Sequence, residues 1–421
     1  MNKPDTTTGV QLVKVPVARL REGMYVSKLD RPWVGTPFMF QGFPISGKDE
    51  LRKLRNICDY VFVDVRKSKP ADREIAFFDL ADIKRTEYKL QVAVEQELNQ
   101  AASTYKDTLR QTKSLLQDAK THGEINGRKL KRNVKLCVDS VTRNPNALVW
   151  LTAIKHQDAY TLEHSVNVGV LAIALGRQLG LPRQQLETLG LCGMLHDVGK
   201  AGIDQAILNK SGTLTAEELE HIKSHVAVGR DMLLHDPLIA PEILEAVFSH
   251  HERVDGGGYP SGTSSEALSF YTRVITIVDA YDAMTSDRVY TKSISSTKAL
   301  KILYNERGKQ FDQQLVVAFI QCMGLYPPGC LVEMESGEVG LVIAADPHSR
   351  LQPKVALIRD KNKKTVQQII VDLKKEGETG EAYKIKRALK DGSYGVSLEK
   401  ITRENINIQM TLKAEQKEQE K

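Results

Sequence analysis

One segment of the chain places two polar residues where an apolar stretch continues toward the interior. In ETLGLCGMLHDVGKAGI (187–203), His196 and Asp197 directly follow a leucine-rich run with helical character. Burying a polar pair costs free energy unless another group satisfies it. A metal ion would satisfy both side chains, so the segment predicts a fold that brings further ligands to this point.

Histidines are concentrated in the same part of the chain. Seven of the ten lie between residues 164 and 251, although a single histidine on an apolar face is more often a hydrogen-bonded core residue than a ligand. Imidazole and carboxylate ligands suit divalent Fe, Mn, Ni, Co and Zn, and one carboxylate can bridge two ions. The candidate metal ligands are His164, His196, Asp197, His225, His250, His251 and Asp279.

The sequence around these candidates is typical of a helical bundle. Residues 165–181, SVNVGVLAIALGRQLGL, are apolar nearly all round, as expected of a helix buried within a bundle. Thr215 and Glu218 have the spacing of a capping box and predict a helix start. We therefore predict a mainly α-helical domain over residues 136–325.

The segments that precede this domain predict two further regions. Short β-like runs, Val10–Val17 and Val61–Val65, flank a loop rich in proline, glycine and aromatic residues, which indicates a small α/β accessory module over residues 1–72. Apolar residues at helical spacing from about Ile83 to Leu116 predict a long amphipathic helix within a connector at 73–135. Such a helix suits either a connector or the stalk of a homodimer.

Beyond the helical domain, the spacing of apolar residues changes from the helical period to every second residue. CLVEME, EVGLVIAA, KVALIRD and TVQQIIVDL read as strands, and Ser336-Gly337 reads as a turn between the first two. We predict a small β-rich extension over residues 326–405. The tail at 406–421 lacks apolar residues large enough to pack and is predicted to be disordered.

Composition excludes several classes of protein. The 421 residues include 41% hydrophobic ones, enough for a core divided among two or three domains. No run approaches the roughly 18–20 apolar residues that span a bilayer, and the N-terminus has no signal-peptide pattern, so we expect a cytoplasmic protein. A net charge of +6 without a basic and aromatic patch argues against polymeric nucleic acid as a partner. Five scattered cysteines without CxxC spacing argue against a thiolate metal site.

Three motifs in the helical region together resemble one enzyme family. HDVGK (196–200), HHERVDGGGYP (250–260) and VDAYDAMTSDR (278–288) occur in the order and spacing of the HD-GYP family of metal-dependent cyclic dinucleotide phosphodiesterases. Residues 15–45 also resemble an uncharacterised bacterial module that precedes HD-GYP domains. The resemblance implies that residues 136–325 form an HD-type helical bundle with a phosphohydrolase site.

The same resemblance assigns roles to individual residues. It implies that Asp197 bridges two divalent transition-metal ions, Fe or Mn in the first place, with Ni, Co or Zn as alternatives. One ion would be held by His164, His196, Asp197 and Asp279, and the other by Asp197, His225, His250 and His251. Two ions rather than three are expected because Tyr160 stands where members with three ions carry glutamate.

The resemblance also implies contacts with the substrate. Lys200 would contact a phosphate and act with Asp197 in catalysis, Arg288 would bind the other phosphate or a guanine, and Tyr259 would line the pocket. The expected reaction is hydrolysis of cyclic di-GMP to linear pGpG and, after a second cleavage, to GMP. The resemblance further suggests a diguanylate cyclase (GGDEF) partner.

Three other readings of the site stay open at this point. The substrate could be 3′3′-cyclic GMP-AMP, or the chain could be a non-catalytic effector that binds the dinucleotide. A di-iron oxygenase uses a comparable ligand set on organic substrates. The phosphate-binding side chains Lys200 and Arg288 favour hydrolysis over oxygenation.

Overall fold

The computed structural model divides the chain into two compact units. It describes residues 12–17, 20–33, 36–38, 42–64, 85–123, 125, 127–154, 160–208, 210, 212–236, 238–264, 267–287, 293–346, 349, 351–374 and 383–398. One unit comprises the described residues of Met1–Ile83 and Ser265–Phe270, and the other those of Lys84–Ser264 and Tyr271–Lys421. The tail predicted to be disordered, 406–421, and the candidate Arg288 lie outside the described residues.

The described residues of the first unit form a four-stranded antiparallel sheet and one helix. The strands have the order β1-β4-β2-β3, and the elements are β1 (Leu12–Pro16), β2 (Tyr25–Leu29), β3 (Phe43–Pro44), α1 (Lys48–Ile57) and β4 (Tyr60–Asp64). Val61 and Val63 of β4 alternate with the less buried Tyr60 and Phe62 and pack with Leu54 of α1 in an apolar core. The unit is therefore an α/β module, and its predicted limit at residue 72 stays a prediction.

The second unit consists mainly of helices. They are α2 (Val94–His122), α3 (Arg128–Arg143), α4 (Pro145–Thr152), α5 (Tyr160–Gln178), α6 (Arg183–Leu195), α7 (Gln205–Leu208), α8 (Ala216–Lys223), α9 (His225–Leu233), α10 (Pro241–Ser249), α11 (Phe270–Thr285), α12 (Ser296–Asn305) and α13 (Gln313–Met323), with a 3₁₀ helix at Val198–Gly202. The capping box is confirmed, since Thr215 and Glu218 exchange side-chain and backbone hydrogen bonds at the start of α8. Among the described residues, no helix combines the length and apolarity needed to cross a membrane.

The long helix differs from its prediction in both position and packing. It begins at Val94 rather than near Ile83, because Thr86 N–H donates to the Gly180 carbonyl and the Tyr88 hydroxyl to the Leu181 carbonyl, which holds the preceding segment along the α5–α6 turn. Within the helix, small side chains including Thr104, Thr108 and Ala101 are buried. The helix α2 is therefore part of the bundle rather than a separate stalk.

A buried ion pair also joins α2 to the bundle. Arg143 of α3 donates from two nitrogens to the two carboxylate oxygens of Glu97, at 2.8 and 2.7 Å, and the Ser140 hydroxyl donates to Glu97 as well. The predicted boundary between connector and bundle, at residues 135 and 136, falls inside α3.

Two glycines allow α5 and α6 to approach closely. A Cβ atom on Gly193 of α6 would come within 2.6 Å of the Gly169 Cα atom of α5. Real Cβ atoms do not make such contacts, so any larger residue at position 193 would force the helices apart. The close approach brings His164 of α5 near His196, which directly follows α6, and their rings lie 5.1 Å apart between centroids.

The C-terminal part of this unit is a five-stranded antiparallel sheet in the order β8-β7-β6-β5-β9. Its strands are β5 (Leu331–Met334), β6 (Val339–Ala344), β7 (Lys354–Arg359), β8 (Thr365–Asp372) and β9 (Ile385–Leu389). Four of them match the predicted strands. The fifth, β9, was not predicted because IKRAL has no regular apolar alternation.

Candidate metal centre

Four buried imidazoles are held by the nitrogen that faces away from the centre of the site. His196, His225 and His250 each bond through Nδ1 to the backbone carbonyl three residues earlier, at 2.7, 2.7 and 2.8 Å. A carbonyl oxygen only accepts, so each Nδ1 donates. His164 bonds through Nδ1 to the Asp282 carboxylate at 2.8 Å. All four side chains thus present Nε2 to a common centre.

Asp197 lies between two groups of these imidazoles. One group consists of His164, His196 and Asp197, and the other of Asp197, His225, His250 and His251; within each group, one ligand atom per residue lies within 4.8 Å of the others. Asp197 Oδ2 is 3.3 Å from His196 Nε2, and Asp197 Oδ1 is 3.4 Å from His225 Nε2. One carboxylate oxygen therefore faces each group.

Several polar atoms in the centre lie close together but have no hydrogen atom to donate to one another. The Nε2 atoms of His225 and His250 lie 3.4 Å apart, and burial lowers the pKa of His250 to about 4, so that its ring is neutral at neutral pH. Among the described residues, His196 Nε2 and Asp197 Oδ1 are buried and have no hydrogen-bond partner. Unsatisfied lone pairs of this kind are costly in a dry interior. The arrangement fits divalent cations bound at the centre.

The Asp279 carboxylate, which contacts His164 and His196, is strongly acidic. Asp279 of α11 approaches His164 Nε2 at 3.1 Å and His196 Nε2 at 3.8 Å through Oδ1. Burial opposes its charge, but the hydrogen bond with His164 and the nearby His196 outweigh burial and hold the pKa of Asp279 far below its usual range. Burial likewise lowers the pKa of His164, whereas bonds to Asp279 and Asp282 raise it to a net value of about 9.

His251 and Tyr259 form the border of the centre. Their rings stack with centroids 4.7 Å apart and planes 26° apart, and burial lowers the pKa of His251 to about 2. The buried Glu252 carboxylate fixes the loop that carries Tyr259, because it accepts from the backbone N–H groups of Ser261 at 2.7 Å and Thr263 at 3.0 Å.

Lys200 lies beside the Asp197 carboxylate. Its Nζ atom is 2.5 Å from Asp197 Oδ2, and its side chain is 28% exposed. Burial opposes the charge of Asp197, while Lys200 and His196 lower its pKa well below the ordinary value. The Lys200 ammonium group is therefore close enough to affect the Asp197 carboxylate, and the side chain is exposed enough to contact a bound substrate.

The structure brings the seven predicted ligands together and puts Lys200 and Tyr259 next to them. Arg288, the remaining candidate, lies outside the described residues. Sequence reasoning missed Asp282 and Glu252 as supporting carboxylates. The spacing of Asp282, three residues after Asp279 on the same helix, was a usable signal because residues three apart share a helix face.

Comparison with known proteins assigns each region of the chain to a described family. An HD domain matches residues 146–315, a domain of unknown function matches residues 12–130, and a KOW domain associated with HD domains matches residues 331–392. The chain is 36% identical over 375 residues to "Cyclic di-GMP phosphodiesterase PA4108" of Pseudomonas aeruginosa, covering 87% of this chain and 90% of the relative.

Two other relatives match a smaller part. "Cyclic di-GMP phosphodiesterase response regulator RpfG" of Xanthomonas campestris is 33% identical over 40% of this chain and 45% of its own length. "3′3′-cGAMP-specific phosphodiesterase 3" of Vibrio cholerae is 32% identical over 40% of this chain and 36% of its own length.

The HD-domain match and the phosphodiesterase relatives, together with the histidine and aspartate clusters, place the chain among the metal-dependent phosphodiesterases of the HD-domain class. More narrowly, the chain belongs to the HD-GYP family, as the similarity over nine tenths of the Pseudomonas relative shows.

Proposed function

We propose that this protein hydrolyses cyclic di-GMP to linear pGpG, using two divalent metal ions held on either side of Asp197. The observation that carries the proposal is the position of Asp197, whose two oxygens face two separate groups of imidazoles. A bridging carboxylate of this kind suits a two-ion site for phosphodiester cleavage.

The residues around Asp197 supply the ligands for both ions. His164, His196, Asp197 and Asp279 would hold one ion, and His225, His250 and His251 would complete the other site with Asp197. Nitrogen and carboxylate ligands favour Fe or Mn, with Ni, Co or Zn as alternatives. When bound, such a pair of ions supplies hydroxide near neutral pH and neutralises charge on the phosphoryl oxygens.

Protein side chains would complete the chemistry. Lys200, 2.5 Å from Asp197, would stabilise the negative charge that grows on the phosphoryl oxygens in the transition state. Tyr259 would support the substrate at the border of the centre, since its ring stacks on His251. Arg288 would contact the second phosphate or a guanine. In-line cleavage would break one P–O3′ bond and leave a linear dinucleotide with a 5′ phosphate; a second cleavage would give GMP.

Two relatives named for cyclic di-GMP support this substrate, the Pseudomonas one over most of its length. The alternative, 3′3′-cyclic GMP-AMP, has the support of a Vibrio relative that matches less than half of this chain. A homodimer formed through α2, a diguanylate cyclase partner and a cytoplasmic location stay predictions.

Product analysis tests the proposed function directly. Purified protein loaded with Mn²⁺ or Fe²⁺ is incubated without oxygen with cyclic di-GMP and with 3′3′-cyclic GMP-AMP, and the products are separated by chromatography. We expect linear pGpG from cyclic di-GMP at a higher kcat/KM than cleavage of the mixed dinucleotide. Tight retention of intact cyclic di-GMP would identify an effector, and a reaction that requires oxygen would identify an oxygenase.

Matched variants assign the reaction to the centre. His196→Ala and Asp197→Ala are expected to abolish turnover while the circular dichroism spectrum stays helical. His235→Ala, at a histidine outside both clusters, is the control. Full activity in either ligand variant would remove those residues from the mechanism.

A further inference from the structure

Lys223 lies outside the two groups of candidate metal ligands, and a single side chain, that of Tyr259, connects it to them. Lys223 is the last residue of α8, and its Nζ atom is 5.5 Å from the centroid of the Tyr259 ring. Tyr259 in turn stacks on His251, with 4.7 Å between ring centroids. Lys223 is therefore linked to the ligand set through a single aromatic ring.

The other partner of Lys223 binds it only weakly. Its Nζ atom is 2.6 Å from Glu220 Oε1, three residues earlier on the same helix, and the Glu220 side chain is 70% exposed. Exposed pairs of this kind contribute little to stability because water screens them. With its own side chain 32% exposed, Lys223 can exchange Glu220 for another anion at little cost.

Lys223 adds a positive charge at the border of the centre. An anionic substrate that crosses this border needs positive charge along its path. Lys200 is close to Asp197, whereas Lys223 lies near the Tyr259 ring, on which His251 stacks.

A cyclic dinucleotide carries two phosphodiester groups, and one cleavage event uses only one of them. We propose that Lys223 binds the phosphate that is not being cleaved, beside any contact that Arg288 makes with it, and so selects cyclic dinucleotides over simpler phosphodiesters. This inference rests on the proposed function. Lys223 is assigned to substrate binding, not to the chemical step.

Two substitutions that break the same ion pair separate this role from a structural one. Lys223→Met keeps the length of the side chain and removes its charge, and Glu220→Gln leaves the ammonium group without its carboxylate. If Lys223 binds phosphate, Lys223→Met raises KM for cyclic di-GMP roughly 5-fold, as expected for one partly exposed charge-assisted hydrogen bond, and kcat changes less than KM. Glu220→Gln lowers KM or leaves it as it is, and Lys223→Arg restores most of the affinity.

A substrate with one phosphate provides the second comparison. The loss in kcat/KM caused by Lys223→Met is expected to be at least threefold larger for cyclic di-GMP than for bis(para-nitrophenyl) phosphate, both assayed with the Mn²⁺-loaded protein. Three outcomes would each overturn the inference. The first is an equal loss in kcat/KM with both substrates, and the second is an unchanged KM for cyclic di-GMP in Lys223→Met. The third is a rise in KM in both the lysine and the glutamate variant.

Failure of the proposed function would be visible separately. If the wild-type protein binds cyclic di-GMP without cleaving it, the proposed function fails. The role of Lys223 is then tested by Kd in place of KM: Lys223→Met should raise the Kd for cyclic di-GMP, and Glu220→Gln should not. If the wild-type protein does not bind cyclic di-GMP, both proposals fail.

Discussion

Gly199 lies against the backbone of His225, so that a Cβ atom on Gly199 would stand 1.9 Å from the His225 carbonyl oxygen and 2.4 Å from the Gly229 nitrogen. The 3₁₀ helix that follows Asp197 therefore packs on the first turn of α9 without any side chain between them. This contact keeps Asp197 Oδ1 3.4 Å from His225 Nε2. A glycine is required here by close approach, and the metal centre depends on it.

The substitution Gly199→Ala is expected to separate Asp197 from His225 and to reduce both metal content and turnover. Overpacking of this kind costs about 1–3 kcal/mol, so the protein should still fold. Elemental analysis of the purified protein measures the bound metal. Gly212→Ala is the matched control, because no atom lies within 4 Å of a Cβ at that position. Normal metal content in Gly199→Ala would show that the contact does not hold the centre.

Asp282 is expected to control metal affinity through His164 without touching an ion. Its carboxylate accepts from His164 Nδ1 at 2.8 Å, which fixes the ring orientation and makes Nε2 more basic. Loss of such a supporting carboxylate usually weakens metal binding about 10- to 100-fold. Asp282→Asn should therefore raise the Kd for Mn²⁺ by that factor, measured by titration of chelator-treated protein.

The control for this measurement is Asp231→Asn, which removes a carboxylate that is 64% exposed and pairs with Arg230. An Mn²⁺ affinity that falls equally in both variants would point to a general loss of charge. An unchanged affinity in Asp282→Asn would mean that His164 does not need this partner.

Much of the centre could be predicted from sequence because its ligands are polar residues in an apolar context. His196 and Asp197 interrupt a buried helix end, and Asp279 follows an apolar run, so each is conspicuous against its neighbours. The helical period and the change to period two after residue 326 likewise indicate the bundle and the sheet. These signals are local in the sequence, so they can be recognised without knowledge of the fold.

Other features depend on contacts between distant segments and leave no local pattern. The helix α2 begins at Val94 because residues 86 and 88 bond to the α5–α6 turn, about 90 residues later in the chain. Strand β9 exists because β5 pairs with it, although IKRAL does not alternate. The roles of Glu252 and Gly199 likewise become visible only once the loops that they support are in place.

The C-terminal sheet is expected to lose stability in acid through Glu333. Lys363 and Arg387 each donate to its carboxylate at 2.7 Å. The bond from Lys363 lowers the pKa of Glu333, burial opposes this by raising it, and the bond from Arg387 lowers it further, so that the net pKa falls from 4.5 to about 2. A lowered folded-state pKa stabilises the protein above the unfolded value, about 4.5, and this contribution declines between pH 4.5 and 2. Glu333→Gln should therefore lower the Tm at pH 7 and lose this difference progressively below pH 4.5.

Thermal unfolding of both proteins across this pH range checks the prediction. Glu335→Gln, at an exposed turn position directly after the same strand, is the control and should follow the wild type. A difference between Glu333→Gln and wild type that stays constant from pH 7 to pH 3 would show that the effect comes from packing and not from charge.

Ion binding is expected to stabilise the helical bundle, because it satisfies His196 Nε2 and Asp197 Oδ1, which are buried without hydrogen-bond partners among the described residues. Mn²⁺ at about 1,000 times its Kd would add about 4 kcal/mol to the free energy of unfolding. The Tm of chelator-treated protein should rise on titration with Mn²⁺. His196→Ala should abolish most of this rise, whereas His122→Ala, at an exposed helix end, should retain it. An equal rise in both variants would place the stabilising ion elsewhere, since only His196 belongs to the buried clusters.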